Sequence, residues 1–221
     1  MSKIHGVAFD LDGTFYPNYR FYVRLLPFIL KEYRYLWAFG KARNALRAEF
    51  REGEFYDLQA RLMGDRLKQD WMAIRERTER IIYRGWEPLF KKVKLYPHVR
   101  ETLGVFKESG LTLGLLSDFP PVLKLEYLGL DSFWDAVICS EHTNRLKPDQ
   151  TPFLELARQM NLPPEQILYV GNSVPYDIVG SKQAGMKAAL IATNPLKSLL
   201  NRSKADFVFS DYRQLRSFVL G

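Results

Sequence analysis

A short apolar run, Gly6–Phe9, ends directly in two carboxylates and a glycine, and this feature constrains the fold more than any other part of the chain. The residues that follow the run are Asp10-Leu11-Asp12-Gly13-Thr14. A buried strand that opens into an acidic loop is typical of an open α/β sheet, in which ligands bind at the carboxyl ends of the strands. Two carboxylates beside a core are costly to desolvate unless a cation compensates them, and Mg2+ prefers such oxygen ligands.

Strands and helices alternate from residue 99 to residue 221. The apolar runs predict five further strands, over Leu111–Leu116, Ala136–Cys139, Ile167–Val170, Lys187–Ala192 and Phe207–Phe209. The other segments predict helices over Val99–Ser109, Pro121–Leu128, Thr151–Met160, Tyr176–Ala184 and Tyr212–Val219. Apolar strands separated by helices of about ten residues indicate βαβ units. We therefore predict an α/β fold built on a doubly wound parallel sheet.

The segment that follows the first strand differs from the rest of the chain. From Phe15 to Tyr96 there are 18 Lys and Arg against 10 Asp and Glu, a net charge of +8, whereas the remainder carries −1. The same stretch holds 18 of the 31 aromatic residues. It predicts helices without a strand, including Tyr19–Leu26 and Pro27–Phe39, with Gly40 as a punctuating residue. We therefore predict a core formed by residues 1–15 and 97–221, with an inserted all-helical domain at 16–96.

The composition favours a soluble, cytoplasmic protein. Hydrophobic residues make up 47% of the chain and charged residues 26%, as in ordinary globular proteins. No apolar run approaches the roughly 20 residues of a membrane-spanning helix, and a strand expected so close to Met1 leaves no room for a signal peptide. The single cysteine, Cys139, excludes an internal disulfide framework, and we expect it to be buried.

Polar residues recur at the ends of the predicted strands and predict one site. They are Asp10, Asp12, Ser117, Lys147, Asn172 and Asp177. In a parallel sheet these positions converge on one edge. Two carboxylates, a lysine, a hydroxyl and an Asn/Asp pair suit the binding of a metal ion and a phosphoryl group.

The chemistry of these residue types suggests a role for each. Asp10 can attack phosphorus and form an aspartyl phosphate. Asp12 can protonate the leaving alkoxide and then activate water. Lys147 and Ser117 can bind the phosphoryl oxygens. Mg2+ would offset the repulsion between Asp10 and an incoming dianion.

These motifs resemble those of the haloacid dehalogenase (HAD) superfamily of phosphohydrolases, over nearly the whole chain outside the insertion. The matching segments are Phe9-Asp10-Leu11-Asp12-Gly13-Thr14, Leu116-Ser117-Asp118, Lys147-Pro148-Asp149 with Phe153, Gly171-Asn172-Ser173 with Asp177 and Ala184-Gly185-Met186, and Ala205-Asp206-Phe207-Val208-Phe209. The resemblance implies a Rossmann-like core with a helical cap between the first two motifs. It also implies Asp10 as nucleophile, Asp12 as acid/base and Ser117 with Asp118 at the phosphate. The expected activity is that of a Mg2+-dependent phosphatase acting on a small phosphorylated metabolite.

One residue departs from the family's pattern. The family usually has an acid where Asn172 stands, and that acid commonly binds Mg2+. Asparagine keeps an oxygen ligand but removes a negative charge, so we expect a lower affinity for Mg2+. The candidate ligands are Asp10, Asp12, Asn172 and Asp177, with charge from Asp118 nearby.

Two other functions stay open at this point. The first is 2-haloacid dehalogenation, because the enzymes that catalyse it have a fold that resembles this one and need no metal. Asp12 argues against this function, because dehalogenation has no leaving alkoxide to protonate. The second is a phosphate-binding or partner-binding protein with a weakened active site, which Asn172 and the basic insertion suggest.

The insertion also offers candidate specificity residues, namely Tyr16, Tyr19, Arg20 and Arg24. They follow the first motif closely enough to face the cleft and attract an anionic substrate. Alternatively, the arginines solvate a helical bundle whose aromatic rings form its core. An exposed stripe of rings can also be a dimer face, so a monomer and a homodimer are both open. We do not expect nucleic acid as a partner, because the sequence contains no recognised module that binds it.

Overall fold

The computed structural model of the chain describes residues 3–49, 51–201 and 203–221. A sheet of six parallel strands forms its centre. The strands are β1 (Gly6–Phe9), β2 (Thr112–Ser117), β3 (Ala136–Cys139), β4 (Ile167–Gly171), β5 (Lys187–Ile191) and β6 (Phe207–Phe209). Their order across the sheet is β3-β2-β1-β4-β5-β6. The predicted doubly wound, Rossmann-like sheet is therefore confirmed.

Strand β1 lies in the interior of the sheet and sends side chains to both faces. Val7 and Phe9 belong to the buried cluster on one face, and Ala8 belongs to the cluster on the other. Phe9 pairs with Leu115 of β2 and with Val170 of β4. Because of this register, the segments that follow β1, β2 and β4 emerge at the same edge of the sheet.

Helices cover both faces of the sheet. They are α1 (Asn18–Ala48), α2 (Phe55–Leu67), α3 (Trp71–Thr78), α4 (Arg84–Trp86), α5 (Val99–Glu108), α6 (Val122–Leu128), α7 (Thr151–Gln159), α8 (Val179–Gln183), α9 (Pro195–Asn201) and α10 (Tyr212–Leu220). Residues of α5 and α10 pack in the cluster of Phe9, whereas residues of α7 pack in the cluster of Ala8. Within the described part of the chain, every helix is too short or too polar to cross a membrane.

Short turns of other helix types connect these elements. Two π-helical turns span Glu79–Tyr83 and Val174–Ile178, and 3-10 turns span Glu87–Lys92, Asp131–Phe133, Ser140–Thr143 and Pro164–Gln166. The helix predicted over Tyr176–Ala184 therefore begins earlier, as a π turn, and continues as α8. Helix α9 was missed by the sequence reasoning.

Helix α1 differs from the two helices predicted for its sequence. Pro27 lies inside the helix, and the departure from helical backbone occurs at Glu32, with φ −117° and ψ 25°. A proline removes one backbone hydrogen bond, and the buried residues Leu25 and Tyr35 keep the helix packed on both sides of it. The helix also continues past Gly40, because Ala42 and Leu46 bury the same face on the next two turns.

The helical insertion has a buried cluster of its own. The cluster contains Tyr35, Ala38, Phe39, Ala42, Ala60, Met63, Ile74 and Ile82. The two chain connections to the sheet run side by side, since the backbone N–H of Tyr96 donates to the carbonyl of Phe15 over 2.8 Å. Phe21, Leu25 and Phe90 instead join the cluster that covers β1. The insertion thus packs directly over the sheet edge at which the site lies.

Candidate active site

Asp10 follows β1 directly and forms the floor of the candidate active site. Its side chain is buried, with Oδ1 2.6 Å from the Lys147 ammonium. Oδ2 accepts a hydrogen bond of 2.8 Å from the hydroxyl of Thr14. Burial raises the pKa of Asp10 to about 7, against the lowering effect of Lys147. The carboxylate is therefore held in one orientation and poorly hydrated, which suits a nucleophile.

Lys147, which follows β3, joins two carboxylates. Its ammonium lies 2.7 Å from Oδ1 of Asp177 as well as 2.6 Å from Asp10. The hydroxyl of Tyr169 is 3.3 Å away. Burial alone would lower the pKa of Lys147, but Asp10 and Asp177 raise it well above its usual value. The lysine is consequently a fixed positive charge beside Asp10.

Asp177 holds the loop that follows β4. Its Oδ2 accepts hydrogen bonds from the backbone N–H groups of Asn172, at 3.1 Å, and Ser173, at 2.9 Å. A Cβ at Gly171 would collide with the Asp177 side chain, so the glycine permits this close approach. Both oxygens of Asp177 are thus engaged by Lys147 and by the loop.

Asp12 lines the same cavity as Asp10 and has two partners of its own, both different from those of Asp10. The Tyr16 hydroxyl donates to Oδ1, and the Lys124 ammonium lies 2.8 Å from Oδ2. Lys124 is nearly buried, and its ammonium is 5.0 Å from the ring centres of Phe90 and of Phe119. Burial and the Asp12 charge raise the pKa of Tyr16 well above its usual value. Tyr16 therefore stays a hydrogen-bond donor to Asp12.

Asp118 connects the loop after β2 with the loop of Lys147. Its Oδ1 accepts from the Ser140 hydroxyl at 2.6 Å and from the backbone N–H of Lys147 at 3.3 Å. Its Oδ2 lies 2.7 Å from the guanidinium of Arg47. Burial alone would raise the pKa of Asp118, but the charges of Lys147 and Arg47 help to lower it to about 2.

Ser117, the last residue of β2, is fully buried behind this loop. Its hydroxyl accepts from the backbone N–H of Phe119 over 3.2 Å. Asp118 lines the cavity at the sheet edge, whereas Ser117 is not among the lining residues. The phosphate-binding role of Ser117 stays a prediction.

The cavity above Asp10 has a volume of about 1010 Å³ and lies between the sheet edge and the helical insertion. Tyr16 lines it, but Tyr19, Arg20 and Arg24 do not. Arg20 donates to the carbonyl of Lys94 and Arg24 to that of Lys92, both on the connection back to the sheet, and Tyr19 is 62% exposed. Of the four candidate specificity residues, the structure brings only Tyr16 to the site.

The donor set can accept Mg2+ without a dedicated cluster of acids. Across residues 3–49, 51–201 and 203–221, no three His, Cys, Asp or Glu side chains are arranged to hold a metal ion. Mg2+ commonly takes one or two protein carboxylates and completes its shell with water and phosphate oxygens. Asp10 and Asn172 line the same cavity, and a Cβ at Gly13 would collide with the Asn172 side chain. An oxygen-rich site that a substrate phosphate completes therefore fits these residues.

Four charged residues of this region were missed by the sequence reasoning: Lys124, Arg43, Arg47 and Glu141. Arg43 and Arg47 lie one turn apart on α1, where Arg43 pairs with Glu141 and Arg47 with Asp118. Arg43 is buried next to Ala42, and a cation on the apolar face of a helix is a signal that could have found it. Lys124 lies between Leu123 and Leu125 in α6, and this cation among apolar helix residues is a signal of the same kind.

Comparison with known proteins agrees with this geometry. The family model of haloacid dehalogenase-like hydrolases matches residues 4–185. Phosphoglycolate phosphatase of Shigella sonnei (strain Ss046) is 32% identical over 201 residues, which cover 82% of this chain and 79% of the relative.

Two solved structures show the same fold. A HAD phosphatase from Thermococcus onnurineus has a TM-score of 0.66 and 23% identity, with 99% of each chain covered. A 2-haloacid dehalogenase from Pseudomonas syringae pv. Tomato DC3000 has a TM-score of 0.65 and 22% identity, with 97% of each covered. At these sequence identities, the two structures support a conclusion about the fold alone. The chain therefore belongs to the haloacid dehalogenase-like hydrolases, and its sequence relatives place it among the phosphatases of that family.

Proposed function

We propose that the chain is a Mg2+-dependent phosphatase that hydrolyses a phosphate monoester through an aspartyl phosphate on Asp10. The observation that carries the proposal is the buried Asp10 carboxylate, which lies 2.6 Å from Lys147 at the floor of a cavity that Asp12 also lines. The relation to phosphoglycolate phosphatases supports a phosphate monoester as substrate.

The first step transfers the phosphoryl group to the enzyme. An oxygen of Asp10 forms a bond to phosphorus while the bond from phosphorus to the ester oxygen breaks. Lys147 compensates the charge of the phosphoryl oxygens, and Asp12, in the protonated form that the second step of the preceding cycle leaves, gives its proton to the departing oxygen.

The second step releases phosphate. Asp12, now a carboxylate, takes a proton from water, the water oxygen bonds to phosphorus, and the bond between Asp10 and phosphorus breaks. Tyr16 and Lys124 hold Asp12 in place during both steps.

Asp10 and Asn172 would hold Mg2+, and Asp12 and Asp177, which line the same cavity, stay candidate ligands. When bound, the ion supplies positive charge that reduces the repulsion between Asp10 and the substrate dianion. Asp177 accepts from two backbone N–H groups in addition to its ion pair with Lys147, so we assign it to holding Lys147 and the loop after β4, and its role as a metal ligand stays a prediction. We further propose that residues 16–96 act as the cap over the core formed by 1–15 and 97–221, and that the enzyme works in the cytoplasm.

The test uses 4-nitrophenyl phosphate with Mg2+ and with a chelator. D10N should lose phosphate release altogether, and chelation should suppress the parent's rate. D12N should release about one equivalent of nitrophenol per chain in a burst and then stall, because this leaving group needs no proton but the second step needs a base. D131N, at an exposed position, is the matched control. Turnover by D10N at the parent's rate would disprove the mechanism.

A further inference from the structure

We infer that the alcohol part of the substrate is large and apolar, and that a short carboxylated phosphoester is not the preferred substrate. This inference rests on the proposed function, because it uses Asp12 as the group that protonates the leaving oxygen. The leaving group must then lie on the Asp12 side of the phosphoryl position. The walls of the cavity on that side decide which alcohol fits.

Aromatic rings form the wall that begins at Asp12. Tyr16, which donates to Asp12, has its ring centre 5.9 Å from that of Phe90. Phe90 stacks on Phe21 at 4.7 Å, with 11° between the ring planes. All three rings line the cavity. Beyond the polar groups that contact Asp12, the wall of the cavity is therefore aromatic.

The same wall continues across the insertion and returns to the sheet. Ring centres are 5.9 Å apart from Phe21 to Trp86, 6.4 Å from Trp86 to Phe39, and 6.2 Å from Phe39 to Phe119. The Lys124 ammonium is 5.0 Å from the ring centre of Phe119 and 5.0 Å from that of Phe90. Rings from the insertion and from the segment after β2 thus surround one volume.

The charges of the cavity disfavour a second anionic group on the substrate. Among the described lining residues, Arg47 pairs with Asp118, Lys124 with Asp12, and Lys147 with Asp10 and Asp177. The remaining lining cation, Lys204, is exposed. A carboxylate on the leaving group would have to break an existing ion pair, reach the exposed Lys204 away from the rings, or stay unpaired beside them, and the first and last of these are costly.

The size of the cavity also favours a substrate with a large alcohol part. A volume of about 1010 Å³ is at the upper end of the range for pockets that enclose drug-sized ligands. A phosphoester with a two-carbon alcohol would leave most of this apolar volume to water. A long alkyl or aryl alcohol would fill it and gain about a fourfold advantage for each methylene that it buries.

The experiment is a series of n-alkyl phosphates from ethyl to octyl, together with 2-phosphoglycolate. The alkyl esters share one type of leaving group, so chain length alone changes along the series. We expect kcat/KM to rise by about a hundredfold or more from ethyl to octyl phosphate, and 2-phosphoglycolate to be a poorer substrate than hexyl phosphate.

A matched pair of variants on α1 tests whether the cavity causes this rise. Tyr22 lines the cavity, and Tyr33 lies on the same helix outside it; they are 55% and 65% exposed, so either substitution is compatible with folding. Y22E should lower the ratio of kcat/KM for octyl phosphate to kcat/KM for ethyl phosphate at least tenfold. Y33E should leave that dependence as in the parent.

The outcomes separate this inference from the function on which it rests. Hydrolysis of all esters with no gain from ethyl to octyl, or a preference for 2-phosphoglycolate, would overturn the inference and leave the phosphatase intact. Hydrolysis of none would overturn the proposed function. In that case the affinities of ethylphosphonate and octylphosphonate are measured directly. Equal affinities would overturn the apolar specificity as well.

Discussion

The Lys124 ammonium lies 2.8 Å from Oδ2 of Asp12, and this ion pair joins α6 to the loop after β1. The lysine is nearly buried, and its ammonium is 5.0 Å from the ring centres of Phe90 and Phe119. An ammonium in such surroundings fixes the position of its carboxylate partner, because few other groups can pair with either charge. Lys124 is therefore a positioning residue for the proposed acid/base.

Replacement of Lys124 by methionine tests this relationship. K124M keeps the apolar stem against the rings but removes the charge. We expect kcat/KM for ethyl phosphate to fall by about tenfold to a hundredfold, part of the usual contribution of a general acid. The loss should be smaller for 4-nitrophenyl phosphate, whose leaving group departs without a proton. K107M, at an exposed lysine, is the control, and equal losses on both substrates would contradict a role through Asp12.

The buried pair Arg43–Glu141 links the helical insertion to the segment after β3. The Arg43 guanidinium also donates to the carbonyl of Asp118 over 2.8 Å, and the Tyr83 hydroxyl donates to Glu141 over 3.0 Å. R43M leaves a buried carboxylate without its cation and should lower the free energy of unfolding by about 3–5 kcal/mol. Urea titration measures this change.

The double variant R43M/E141L and an exposed arginine complete that test. The double variant should lose less stability than the sum of the two single variants, because the pair is removed together. R75A removes an exposed arginine of the same insertion, paired with Asp57, and should cost less than about 1 kcal/mol. Strict additivity of the R43M and E141L losses would mean that the two side chains do not stabilise each other.

The sheet and the reactive pair could be predicted because their signals are local in sequence. Every strand except β2 begins at the residue where its apolar run begins, and β2 begins one residue later. Asp10 meets Lys147 because parallel strands end at one edge. The environment of Asp12 could not be predicted in this way. Lys124 reaches Asp12 from α6, 112 positions later in the chain. The sequence does not show which face of α6 is turned towards β1.

The residues of the helical insertion that reach the site could not be predicted from local sequence patterns either. Proximity to the first motif suggested Arg20 and Arg24, but both side chains bind carbonyls of the returning connection. Arg47, 35 residues after Asp12, reaches the site instead, because α1 continues through Pro27 and Gly40 and passes over the sheet edge. The length and direction of that helix depend on tertiary packing that no short segment encodes.

The low pKa of Asp118 predicts a pH-dependent contribution to stability. Its pKa is about 2 in the folded chain against an ordinary value of 3.8. The lowered pKa stabilises the fold by about 2 kcal/mol above pH 5, and this contribution is lost as the pH falls from about 4 to about 2. The difference in unfolding free energy between the parent and D118N should therefore shrink over that range. D65N, at an exposed position, is the control, and a difference that grows on acidification would contradict the assignment.

Cys139 gives a prediction about reactivity. The thiol is buried at the end of β3, and burial together with the neighbouring Glu141 raises its pKa to about 12. Only the thiolate is nucleophilic, so at pH 8 about one thiol in ten thousand is reactive even before access is considered. The folded protein should not react with Ellman's reagent at pH 8, whereas the unfolded chain in guanidinium should release about one equivalent of thionitrobenzoate, and C139S none in either state. Prompt reaction of the folded parent would mean that the end of β3 opens to solvent, and the Arg43–Glu141 pair next to it would then have to open too.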